Sequence, residues 1–202
     1  MVSISIRYRM VVATRKRLSR ANWVTAGLGA LVQGGPDAVA VEPVAARLGT
    51  TKGSGYWHFA DRADLLRAVL DAWVDRYTVA VRERVEAGGG TPTARLRHLL
   101  AIVSTAAEQS PADLLLVASA DPDVRRAVVE ATQLRVAYVE QLLREDGVPG
   151  PEARSRAVLA YAAYLGYASL TSAVPGLVPR EPTDRRRLQE SLLAMALPDV
   201  SP

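Results

Sequence analysis

VEPVAARLGTTKGSGYWHF, residues 41–59, is the stretch whose reading decides the fold. Val41, Val44, Ala45 and Leu48 recur at i, i+3, i+4 and i+7, the stripe of a helix with one buried face. Gly49 follows, where a helix C-terminus favours a residue free to take positive φ. Thr50 or Thr51 can then cap the next helix by accepting a bond from an orphan N–H. Two short helices joined by a tight Gly-containing turn form either an ordinary helical hairpin or a helix-turn-helix, whose second helix can enter the DNA major groove. Thr50, Thr51, Lys52, Ser54, Tyr56, Trp57 and His58 would be its exposed groups, and they suit phosphates and base edges.

On the N-terminal side, Ser19 is placed to cap a helix running to about Gln33, with Trp23, Val24, Leu28, Leu31 and Val32 on its apolar face. Gly27 and Gly29 each weaken that helix by about 1 kcal/mol relative to Ala. Gly34-Gly35-Pro36-Asp37 breaks it. On the C-terminal side, Asp61 is a cap and Asp64 a favourable negative charge in the first turn. The apolar stripe Leu65, Leu66, Val69, Leu70, Trp73, Val74, Tyr77 predicts one long helix to about Val85.

The run GTTKGSGYWHFADRADLL, residues 49–66, resembles the recognition helix and following helix of TetR-family transcriptional regulators. Gly49, Thr51, Gly53, Tyr56, Trp57, His58, Phe59, Arg62, Asp64, Leu65 and Leu66 carry the likeness, which is specific over about Leu18 to Val74. The resemblance implies an all-α chain: a three-helix helix-turn-helix DNA-binding domain over 19–64, then a helical ligand-binding and dimerisation domain over 65–202. It implies roles as well. Lys52 and Arg62 would contact phosphates or bases, while Thr50, Thr51 and the N–H of Gly53 approach the backbone at the helix N-terminus. Tyr56 and His58 would reach phosphates or bases, and Trp57 would stack on sugars or thymine methyls. Two positions depart from the pattern. Gly55 stands where the family usually has a core Leu, and Trp23, where a smaller aliphatic is usual, is expected to fill that space. Ala40 replaces a common Thr cap, with Pro43 in the first turn, where proline is tolerated.

Charge supports the same reading. Residues 1–62 carry nine Lys/Arg against three acids, whereas the whole chain is only +4. A basic end on a near-neutral body fits a module that meets a polyanion. Residues 1–18, with Arg7, Arg9, Arg15, Lys16 and Arg17, read as a basic, flexible arm. Met1 to Val12 has two arginines in its apolar stretch and no clear cleavage site, so a cytoplasmic protein is expected. The chain has no cysteine, which excludes disulfides and thiolate metal sites. No nucleophile–base arrangement, phosphate loop or metal-ligand spacing is recognisable, and neither enzymatic activity, cofactor nor metal is expected.

The remainder reads as helices divided by breakers: Thr93 to Gln109, Ala112 to Ala120, Asp121 to about Asp146, Glu152 to Val174 and Thr183 to Leu197. Residues 157–179 hold no charged side chain. A run that long can mark a membrane span, but Ala dominates it and Gly166, Ser169, Thr171 and three Tyr are spread around it, which favours a helix buried on several sides of a soluble assembly. In the resembled family the last two helices pair with those of a second subunit. Ala160, Ala163, Ala168, Leu170, Leu188, Leu192 and Met195 would supply that homodimer interface here. The family also implies a pocket for a small effector, with Tyr77, His98, Ile102, Thr105, Gln133, Tyr138 and Tyr164 as candidates. No charged residue stands out as an ionic partner, so a largely apolar, neutral ligand is expected. The expected partners are therefore a double-stranded DNA operator, a small-molecule effector and a second copy. Activation instead of repression, a cofactor-free helical enzyme and a membrane-attached helical protein are the alternatives.

Overall fold

The computed structural model describes residues 18–110, 112–179 and 181–197 of the chain. The expected basic arm, residues 1–18, lies outside this range except for Leu18. The described residues form ten α-helices and no strand. They are α1 (Arg20–Gly34), α2 (Val41–Arg47), α3 (Lys52–Tyr56), α4 (Arg62–Val74), α5 (Ala80–Gly88), α6 (Pro92–Gln109), α7 (Ala112–Val117), α8 (Pro122–Glu145), α9 (Gly150–Ala173) and α10 (Pro182–Ala196).

Local chemistry sets most of these boundaries. The Ser19 side chain accepts from the Asn22 N–H, and the Asn22 side chain reaches back to the Ser19 N–H at 2.9 Å, a reciprocal capping box. Asp61 caps α4 through Asp64 N–H at 2.8 Å. Thr91 and Asp121 cap α6 and α8, each followed by a first-turn proline. Gly49 takes φ +62°, the conformation that lets the chain leave α2 and turn into α3. Thr51 occupies the N-cap of α3, but its hydroxyl caps nothing. The shortness of α3 and its two glycines follow the same logic: little intrinsic helix preference is present, and tertiary packing holds the turn.

The helix expected to run unbroken to Val85 is interrupted. Asp75–Val79 forms a π turn between α4 and α5. The turn places Thr78 inward, 8% exposed, and Arg135 Nη2 donates to the Tyr77 carbonyl at 3.4 Å. Such single π turns are usually inserted where a side chain must be re-aimed.

Around the helix-turn-helix, Trp23, Leu31, Val41, Val44 and Phe59 are buried together with Leu65, Leu66 and Val69 of α4. α4 thus contributes to the N-terminal core before it enters the body. Gly27 lets it do so, because a Cβ there would lie 2.5 Å from Val69 Cγ2. Trp23 occupies the space beside Gly55: a Cβ on Gly55 would stand 2.7 Å from Trp23 Cη2 and 2.8 Å from Val41 Cγ1. The indole has taken the place of an aliphatic side chain on α3, and its buried Nε1–H finds no acceptor among the described residues. Filling volume outweighed satisfying that donor. A second core, with Val85, Leu96, Val136, Leu142, Leu143, Ala153, Ala157 and Leu193, holds α5, α6, α8, α9 and α10 together. No helix among the described residues is long and apolar enough to cross a membrane.

Candidate nucleic-acid interface and body cavity

α3 presents an exposed end. Thr51, Lys52, Gly53, Tyr56 and Trp57 are exposed and Thr50 is half-buried, with Trp57 82% accessible although it is a large aromatic. Lys52 Nζ pairs with Glu42 Oε1 at 2.7 Å, and this hydrogen bond raises the lysine above its ordinary pKa and lowers the glutamate. The lysine charge is therefore shared with α2 until an anion competes for it. Arg62 Nη2 donates to the Pro36 carbonyl at 2.9 Å, linking α4 to the loop after α1. His58 is half-buried, and its Nε2 meets the Leu18 carbonyl at 2.9 Å. A carbonyl can only accept, so that nitrogen carries the proton and anchors the turn after α3 to the start of α1. Of the eight residues expected to read DNA, His58 and Arg62 therefore also hold the module together in this state.

A cavity of about 340 Å³ lies in the body, bounded by the π turn, α6, α8, α9 and α10. Its walls are mostly apolar, including Leu99, Ile102, Val103, Leu134, Val139 and Leu159. Of the seven ligand candidates, Tyr77, Ile102, Tyr138 and Tyr164 line it. His98, Thr105 and Gln133 do not. All three are exposed: His98 lies over Gly88, and the Thr105 hydroxyl donates to the Ala101 carbonyl of its own helix at 3.0 Å. Helix rotation is the reason, since each falls on the outer side of a helix whose inner side faces the cavity.

The expected dimer residues also divide. Ala160, Ala163, Leu192 and Met195 line the cavity, Met195 while remaining 75% exposed. Ala168 is buried within its own protomer beside Ala107 and Tyr167, with Leu188 packed on them. Leu170 is exposed. The exposed apolar face of α9 instead follows i, i+4 spacing through Val158, Ala162, Gly166 and Leu170, a periodicity that was available in the sequence.

The absence of an ionic group expected for this site is corrected by the structure. Arg135 Nη1 pairs with Asp113 Oδ2 at 2.8 Å, both side chains about 15% exposed, and both line the cavity. Arg135 Nε donates to Thr78 Oγ1 at 3.0 Å, and the guanidinium lies 5.1 Å from the centre of the Trp73 ring. Tyr164 donates to the same Asp113 oxygen at 2.7 Å. Burial works against the Arg135 charge, but Asp113 and the facing Tyr161 and Tyr164 hold its pKa above the ordinary value. Burial, and then the Asp113 charge, raise the pKa of Tyr164. A signal for Arg135 existed: it occupies the buried register of α8 between Ala131 and Tyr138, where an arginine requires a partner. Asp113, at the first turn of a short helix 22 residues away, carried no comparable mark.

Residues 24–69 match the model of the bacterial regulatory proteins of the tetR family. Over these residues the chain carries the tetR-family module. With that comes the coarse function, a DNA-binding transcriptional regulator. The likeness of fold extends through the body of the chain. A transcriptional regulator from Rhodococcus sp. Rha1 superposes with a TM-score of 0.72 at 24% identity, over 92% of this chain and 100% of that one. FadR from Bacillus subtilis, in complex with stearoyl-CoA, gives 0.65 at 13% identity over 91% and 100%. A TetR/AcrR-family regulator from Thermobifida fusca YX-ER1 gives 0.59 at 21% identity over 91% and 98%. No protein of curated function matches the sequence.

Proposed function

We propose that the protein is a homodimeric repressor that leaves a palindromic operator when a small, largely apolar molecule occupies the cavity in its body. The observation that carries this reading is the connection between the two ends. α4 packs on α1 through Leu65 and Val69, passes through the π turn, and brings Tyr77 and Thr78 to the cavity wall. A ligand there bears directly on the segment that carries the DNA-reading module. To release DNA it must bind the released arrangement of the modules better than the DNA-bound one. The Bacillus regulator holds stearoyl-CoA, and its acyl chain, though not its charged CoA part, supports an apolar tail for the cavity occupant. The exposed stripe Val158, Ala162, Gly166, Leu170 supports pairing through α9, since small residues allow close helix approach. Two modules related by a two-fold axis would read half-sites about one helical turn apart.

The test begins with DNA selected from a random pool by the purified protein. On the selected site, Tyr56→Ala should abolish the gel shift while the dimer persists on gel filtration. Retained affinity would defeat the placement of α3 in the groove. Expression of a reporter behind the selected site should rise when the gene for the protein is deleted; a fall would identify an activator.

A further inference from the structure

We infer that the ligand of the cavity is electrically neutral and ends in one hydrogen-bonding group, a hydroxyl or carbonyl, seated against the Asp113–Arg135 pair. The inference rests on the effector reading above and specifies its chemistry. Both members of the pair line the cavity, and their charges are separated by a contact of only 2.8 Å. A ligand carrying one formal charge would meet an attraction and a repulsion of similar size there, and would lose its own hydration on entry. A neutral polar group meets no such opposition.

The pair is also incompletely bonded, and this gives such a group something to bind. Asp113 uses Oδ2 for both Arg135 and Tyr164, while Oδ1 has no hydrogen-bond partner among the described residues. A guanidinium carries five N–H groups, and Arg135 engages three of them, on Thr78, Asp113 and the Tyr77 carbonyl. One acceptor and two donors are therefore left in a site whose other surfaces are mostly apolar. A hydroxyl can donate to the carboxylate or accept from the guanidinium, and a carbonyl can do the second. The remaining charged groups of the lining do not alter the balance. Arg156 is paired with Glu152 at 2.7 Å and also donates to the Ala196 carbonyl. Arg82 is exposed to water, lies over the Tyr138 ring and donates to Gln141.

The same pair joins elements that lead toward the DNA-reading end. Arg135 holds the π turn that continues from α4, and Asp113 belongs to α7, whose preceding Ser110 donates to the α1 carbonyl of Val32 at 2.9 Å. A polar group inserted at the pair acts on both.

Three probes of equal tail length, decanol, decanoate and decylammonium, decide the matter on the purified full chain. Their binding is read by calorimetry and by quenching of Trp73, which lines the cavity against Arg135. Decanol should bind about tenfold or more tightly than either ion, a difference of about 1.4 kcal/mol. Asp113→Asn keeps the shape but leaves the arginine charge without its partner, and should move the preference to decanoate. Equal or tighter binding of decanoate or decylammonium to the unaltered protein overturns the inference while leaving the effector cavity in place. So does an Asp113→Asn protein that still ranks decanol first. If none of the three binds, the effector reading itself falls. Should Asp113→Asn fail to fold, as judged by its helical circular dichroism, the ranking on the unaltered protein decides alone.

Discussion

Beside α3, a missing side chain has been replaced. Gly55 leaves room, and Trp23 and Val41 close it to within 2.9 Å of where a Cβ would stand, even though the indole N–H is left without an acceptor. In the body, α6, α8 and α9 leave about 340 Å³ open, and the polar groups at its edge are bonded to one another with capacity to spare. Unfilled space lined by apolar side chains forfeits contacts and lowers stability. Under the proposed function, the filled void belongs to a part that holds its shape and the open one to a part that accepts an occupant.

The contrast can be broken most forcefully at the ion pair. Arg135→Met leaves the Asp113 carboxylate largely buried without its partner, and urea unfolding should register a loss of about 3 kcal/mol or more. Adding Asp113→Leu to it should restore most of that loss. A single-mutant loss below about 1 kcal/mol would show that water already solvates the pair. At the reading end, Gly55→Leu should destabilise by about 1–3 kcal/mol through overpacking against Trp23 and Val41, and Trp23→Val in the same chain should recover much of it. A higher melting temperature for Gly55→Leu alone would show the space to be vacant.

A smaller effect is expected where the body is closed by polar contacts. The Tyr138 hydroxyl donates to Glu86 Oε1 at 2.6 Å, and that bond is the main cause holding the glutamate below its ordinary pKa. A depressed carboxylate contributes stability above its unfolded value, near about 4, and loses it as pH falls through the folded value. Tyr138→Phe should therefore cost about 1 kcal/mol at neutral pH and flatten the fall in melting temperature below about pH 4. An unchanged acid limb would remove Glu86 from the account. The smallest effect on stability belongs to Lys52→Ala, whose pair with Glu42 is exposed to water and screened by salt. Its signature lies instead in DNA binding, where the slope of log K against log salt should fall by about one unit if Lys52 meets a phosphate.

Much of this architecture was legible from residues close together in the chain. Ser19, Asp61 and Asp121 announce helix starts because a cap bonds to an N–H only two or three residues ahead, whereas the Thr91 cap of α6 was not read from the sequence. The replacement of an aliphatic at Gly55 by Trp23 was legible too, because both positions could be placed on a known pattern. The ligand candidates were less so. Tyr77, Tyr138 and Tyr164 point inward, whereas His98, Thr105 and Gln133 point out, since polarity alone does not specify helix rotation.

The sequence by itself determined the helices, their caps, the turn at Gly49 and the exposed polar end of α3, all of which depend on contacts spanning three or four residues. Only the tertiary structure decided what those helices enclose. Arg135 reaches Asp113 across 22 residues and Thr78 across 57, and His58 reaches the Leu18 carbonyl across 40. A cavity is a property of what several helices fail to fill together, and no single helix carries the record of it.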